Sequence, residues 1–93
     1  MNVRYTRRAL RHLDSIFTWI AKESPAGATG RITRIRYSTE LLGRFPEMGH
    51  GGKSPGTLEL VVPKTNFIIV YRVMVSEVQV LAVFDGRRRK AKR

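Results

Sequence analysis

The side chains able to do chemistry in this chain are mostly cations. Arg87, Arg88, Arg89 and Lys90 form a basic run near the C-terminal end, and Arg72 stands inside an apolar stretch. Guanidinium and ammonium groups bind carboxylates and phosphates and stabilise negative charge; they do not serve as bases at neutral pH. The basic run therefore fits an anionic target, or nucleic acid held by phosphate contacts that are salt-dependent and blind to sequence. Its bland alternative is a solvated end. Arg72 is flanked on its own strand face by Val70 and Met74, so it is partly desolvated unless paired. Two pairings stay open: a carboxylate on a partner, or an internal ion pair with Glu59 or Glu77.

Acid–base chemistry is poorly provided for. His50, with Glu47 and Lys53, falls in a glycine-rich loop and reads as loop decoration, while His12 sits on a helix. Gly49 to Ser54 lacks the G-x-x-x-x-G-K-[ST] spacing of a phosphate loop and precedes a strand. No catalytic residue is assigned; were the chain a nuclease, Arg72 and Arg87 would be the charge-stabilising groups. No cofactor is expected. Without cysteine or a histidine pair at ligand spacing, no metal site is expected either.

The elements that must position these groups follow from periodicity. Val3 to Tyr5 suits a short strand. Thr6 is a hydroxyl N-cap for a helix over 7–22, where Leu10, Leu13, Ile16, Phe17, Ile20 and Ala21 recur at steps of three and four. Trp19 lies at the edge of that stripe or outside it. Ser24 and Pro25 start a second helix, with Ala28, Ile32, Ile35, Thr39 and Leu42 on one face and Pro46 as its terminator. The link between the helices is so short that they must pack as an antiparallel hairpin. Pro46 to Gly56 holds four glycines and two prolines and reads as a loop. Thr57 to Val62, Phe67 to Met74 and Glu77 to Phe84 are strands, joined by turns short enough to require antiparallel pairing.

Both faces of the last two strands carry apolar residues. Simple alternation puts Val78, Val80, Ala82 and Phe84 on one face and Leu81 and Val83 on the other. Two helices cover only one face of a sheet, so Ile68, Val70, Leu81 and Val83 are expected on an uncovered face where a partner docks, with Trp19 as an edge anchor. The expected fold is α+β: a helical hairpin on one face of a three- to four-stranded antiparallel sheet, in the order β-α-α-β-β-β. Residues 1–86 form the domain and 87–93 a basic tail.

With 93 residues there is one small core. The formal charge is +11, and removing the six basic residues of the tail still leaves about +5, so the attraction to polyanions is a property of the whole surface. No apolar run is longer than Phe67 to Tyr71, which is far too short to span a bilayer, and no apolar stretch follows the basic N-terminus as in a signal peptide. A cytoplasmic chain with no membrane contact is expected.

Several segments, taken in order, resemble the RelE/ParE toxins of type II toxin–antitoxin pairs. Leu13-Asp14-Ser15-Ile16 with Trp19-Ile20-Ala21 and Glu23-Ser24-Pro25 is similar to the first helix and helix junction of ParE. Leu41-Leu42 with Phe45-Pro46-Glu47-Met48-Gly49, the strands Gly56 to Val62 and Phe67 to Val73, and the ending Val80 to Arg88 resemble further family segments. The resemblance spans nearly the whole chain. It implies a ParD-like antitoxin as partner, DNA gyrase as target, and stoichiometric binding in place of turnover. Arg72, Arg87, Arg88, Arg89 and Lys90 would meet the target, with Ile68, Val70, Arg72, Leu81, Val83 and Trp19 under the antitoxin. Departures are present: Leu58 stands where the family usually has arginine, Asp85 where many members have histidine, and no tyrosine follows Tyr71. The basic cluster of the mRNA-cleaving members is thus incomplete, which favours the ParE side. The alternatives are a RelE-like, ribosome-dependent mRNA endonuclease and a non-toxic nucleic-acid-binding remnant.

Overall fold

A computed structural model describes residues 1–87. The chain order is β1 (Asn2–Tyr5), α1 (Arg7–Ala21), α2 (Pro25–Leu41), β2 (His50–Gly51), β3 (Leu58–Val61), β4 (Phe67–Val73) and β5 (Glu77–Asp85). The expected caps are present. The Thr6 hydroxyl accepts the Ala9 N–H at 3.2 Å, and the Ser24 hydroxyl accepts the Gly27 N–H at 3.0 Å ahead of Pro25. Each satisfies one of the four backbone donors a helix start leaves open.

The α+β architecture holds, but the sheet is larger than expected and is mixed. Its five strands lie in the order β1-β5-β4-β3-β2. β2 to β5 pair antiparallel, whereas β1 pairs parallel with β5, with Val3 opposite Val78 and Tyr5 opposite Val80. Three successive reversals leave β5 running opposite to β2 and in the same sense as β1. The fifth strand, β2, lies inside the segment read as a loop. It is two residues long, His50 opposite Glu59 and Gly51 opposite Leu58, too short to leave a periodic signal.

α2 also ends earlier than Pro46 predicts. Leu42 caps it, and the Arg44 and Phe45 amides both donate to the Leu41 carbonyl. The N-terminal ammonium donates to the Gly43 carbonyl at 2.8 Å, and a Cβ at Gly43 would lie 2.6 Å from the Met1 carbonyl oxygen. Close approach of the N-terminus to this turn thus requires glycine there.

The core lies between the helices and one sheet face. Ala9, Leu13, Ile35 and Leu42 from the helical side meet Ile69, Tyr71, Val78 and Val80 from the sheet, all buried. Each large aliphatic side chain so placed contributes about 1.5–3 kcal/mol. Ile16 and Ile20 pack against this core, but Leu10 and Phe17 do not; they are exposed on the opposite flank of α1. The buried stripe is therefore narrower than the apolar one.

Two tyrosines tie loops and helices to the sheet. Tyr71, wholly buried, donates its hydroxyl to the Pro46 carbonyl at 2.7 Å and accepts the Gly49 N–H at 2.9 Å. A Cβ at Gly49 would sit 2.6 Å from the Glu59 carbonyl oxygen and 2.7 Å from that hydroxyl, so the loop closes over Tyr71 only with glycine at this place. The Tyr5 hydroxyl bonds to Thr39 of α2, and the Arg36 guanidinium lies 5.3 Å over the Tyr5 ring.

Candidate functional site: a groove on the second sheet face

β5 is irregular at its middle, and this irregularity shapes the site. Tyr71 pairs with Val80 but Val70 pairs with Ala82, so Leu81 is an inserted residue. A bulge of this kind reverses the side-chain alternation beyond it. Val83, opposite Ile69, consequently joins the core and is 2% exposed. The expectation that Val83 lies on the uncovered face is therefore wrong. Ala82 and Phe84, opposite Val70 and Ile68, take that face instead.

The result is a groove of ≈ 670 Å³. Its floor carries Val70, Arg72, Leu81, Ala82 and Phe84. Ser54 and Thr57 of the segment before β3 border it, and α1 contributes Arg8, His12, Ser15 and Trp19. These four α1 residues are spaced 4, 3 and 4 along the helix, which sets them in one stripe beside the core stripe of Ala9, Leu13, Ile16 and Ile20. α1 thus has two working faces a quarter turn apart. β1 pairs only as far as Val80, and α1 takes over the next stretch of the β5 edge. The Val83 N–H donates to His12 Nδ1 at 3.1 Å, and the Thr6 hydroxyl donates to the Val80 carbonyl at 3.0 Å.

The electrostatics are one-sided. Arg72 is exposed, so the expected partial desolvation does not occur. It has no ion pair among the described residues, because Glu77 pairs with Arg4 at 3.1 Å on the neighbouring strand. Gln79 and Arg4 together hold the Glu77 carboxyl below the usual range. His12 is also shifted down: burial disfavours its charged form most, followed by the nearby Arg8 and Arg11 cations. Asp85 is the acidic residue bordering the groove, and it is engaged. Its Oδ1 accepts the Arg87 N–H at 2.9 Å, and its Oδ2 lies 3.0 Å from the Arg87 guanidinium. That carboxylate holds Arg87 in its charged form.

Of the residues singled out in the sequence, Trp19, Val70, Arg72 and Leu81 come together in the groove. Val83 also touches it but belongs to the core. Ile68 shares the face yet lies beside Gly86, whose Cβ position is 2.9 Å from its Cδ1. Arg87 is drawn onto Asp85, and Arg88, Arg89 and Lys90 lie outside the described residues. Sequence reasoning missed Arg8, His12 and Ser15, although their spacing with Trp19 carried the signal. It also missed Ala82 and Phe84, which no periodicity argument places once a bulge intervenes.

Comparison with known proteins fits this architecture. The sequence profile of the ParE toxins of type II toxin–antitoxin systems, parDE, matches residues 3–90. The chain belongs to the ParE toxin family. A candidate toxin of Sinorhizobium fredii (strain NBRC 101917 / NGR234), Y4kP, is 36% identical over 84 residues, covering 90% of this chain and 86% of its own. Among solved structures, a chain of the chromosomal ParDE system of P. aeruginosa superposes with TM-score 0.81 at 24% identity, over 91% of this toxin and 95% of that chain. A chain of the E. coli RelBE toxin–antitoxin complex gives 0.63 at 13% identity, over 88% and 92%, and a conserved hypothetical protein of Helicobacter pylori gives 0.59 at 16%, over 94% and 96%. At these identities the structural likenesses establish the fold. Among the described residues, no helix of the toxin is long and apolar enough to cross a membrane.

Proposed function

We propose that this ParE-family toxin acts by binding DNA gyrase and is neutralised by a ParD-like antitoxin that occupies the groove on the second sheet face. The observation carrying this reading is the make-up of the groove: an aliphatic and aromatic floor, with cations and hydroxyls around it. Such a surface suits an amphipathic peptide that folds as it docks. Two structural relatives come from toxin–antitoxin pairs, a ParDE system and a RelBE complex, which supports an antitoxin as the natural occupant.

The same groove supports binding over turnover. Cleavage of RNA through its 2′-hydroxyl needs a base and an acid placed within hydrogen-bond reach. His12 has Nδ1 occupied by the Val83 N–H, and the Asp85 carboxylate is engaged by Arg87. The basic residues 87–90 are assigned to the target, where a chain of +11 gains association rate from electrostatic steering.

The test pairs two assays on one antitoxin-free preparation: gyrase supercoiling, and mRNA integrity in a translating ribosome extract. Inhibited supercoiling with intact mRNA is expected. Cleaved mRNA with normal supercoiling would overturn the gyrase reading and move the activity to the RelE type. Neither effect would leave a nucleic-acid-binding remnant.

A further inference from the structure

We infer that the groove contains a carboxylate-binding subsite formed by His12, Arg8 and Arg72, and that its ligand is an acidic side chain of an amphipathic peptide. The identity of that peptide as the antitoxin rests on the function proposed above; the subsite itself does not.

The argument begins with the imidazole. The Val83 N–H donates to His12 Nδ1, so Nδ1 presents its lone pair and the neutral ring carries its proton on Nε2. Backbone geometry at the β5 bulge thereby sets the tautomer. Nε2–H is the ring's remaining polar group, and it can only donate. Arg8 lies one helical turn before His12 on the same stripe, and Arg72 projects from β4 into the same groove. Neither arginine has an ion pair among the described residues. Three donors from two elements thus border one depression, two of them permanently charged.

Their placement is not explained by helix stability. Arg7, Arg8 and Arg11 crowd the first turns of α1, where no acidic residue occurs. Cations there oppose the helix dipole. Arg8 and Arg11 also work against protonation of His12, which preserves Nδ1 as the acceptor of the Val83 N–H.

The floor decides between possible anions. Val70, Leu81 and Ala82 offer aliphatic surface beside the donors. A nucleic-acid backbone has nothing apolar to bury on these aliphatic residues, and its bases would stack on Trp19 and Phe84 instead. An amphipathic peptide satisfies both parts at once, its aliphatic residues on the floor and its carboxylate on the donors.

The experiment uses the purified full-length chain, labelled with nitrogen-15, and hexanoate as a probe that combines a carboxylate with an aliphatic tail. Hexylammonium, inorganic phosphate and oligouridylate are the comparison ligands at matched ionic strength. Hexanoate is expected to shift the His12 Nε2 and the Arg8 and Arg72 Nε resonances saturably. Arg8→Gln and Arg72→Gln should each weaken it by about threefold or more. His12→Asn should do likewise, because its amide oxygen can replace Nδ1 at the Val83 N–H while the Nε2–H is gone. Retention of the Val83 amide resonance reports that the bulge is intact; the two arginine variants, both at exposed positions, carry the test if it is lost. Absence of a saturable shift overturns the subsite, as does an equal response to hexylammonium. Tighter binding of oligouridylate or phosphate through the same three residues overturns the carboxylate assignment. Hexanoate binding without gyrase inhibition would retire the gyrase reading and keep the subsite; the converse would do the reverse.

Discussion

Replacing Tyr71 by phenylalanine tests whether one hydroxyl joins the Pro46–Gly49 segment to the sheet. The ring stays and no cavity opens, so the change isolates two hydrogen bonds, to the Pro46 carbonyl at 2.7 Å and from the Gly49 N–H at 2.9 Å. Pro46 and Gly49 are both only partly exposed, and water can reach them once the segment loosens. The loss should then be near the net value of two hydrogen bonds, about 2 kcal/mol, and below the full penalty for stranded groups. For a chain of this size that corresponds to a fall in Tm of roughly 8–16 °C. Urea and thermal unfolding at pH 7.5 measure it, with an unchanged denaturant slope expected because the surface exposed on unfolding is the same. Amide exchange adds a local reading: Gly49 should lose protection while Ile69 and Val80 keep theirs. A loss under about 0.5 kcal/mol, or unchanged Gly49 protection, would show that water replaces the hydroxyl at no cost and would refute the joint.

Further outcomes follow from the same contacts. Gly49→Ala places a Cβ against the Glu59 carbonyl and the Tyr71 hydroxyl, and should destabilise by about 2 kcal/mol or more; combined with Tyr71→Phe the losses should be less than additive, as a double-mutant cycle by urea unfolding would show. Stability should fall as pH drops below about 6.5. The folded-state His12 value is depressed, so in this window the unfolded chain binds a proton that the folded chain refuses, and the decline ends below the folded value. Urea midpoints between pH 7.5 and 4.5 measure this, and His12→Asn should flatten that part of the curve. Arg72→Gln should leave Tm within about 2–4 °C, since the side chain is exposed; its effect should appear in antitoxin binding by calorimetry. Deleting residues 88–93 should slow association with gyrase and weaken its salt dependence, read by stopped-flow at two ionic strengths.

Much of the architecture was legible locally. Thr6 and Ser24-Pro25 announced two helix starts because capping is a contact between near neighbours. The short link between the helices required a hairpin, and the alternation in Phe67 to Val73 identified the central strand. Charge and the family segments pointed to a cationic toxin of the RelE/ParE kind, since composition and residue order need no folding to be read.

The site was decided elsewhere. Whether β1 joins the sheet, and in which sense, depends on a partner more than seventy residues away. The bulge at Leu81 exchanges Val83 for Ala82 and Phe84 on the groove floor, and strict alternation predicts the opposite. His12 gains its role only because β1 stops pairing at Val80 and leaves the Val83 N–H to a helix side chain. Sequence periodicity reports which face of an element is apolar. Which backbone groups an element leaves unpaired, and what then reaches them, is a property of strands brought together from distant parts of the chain.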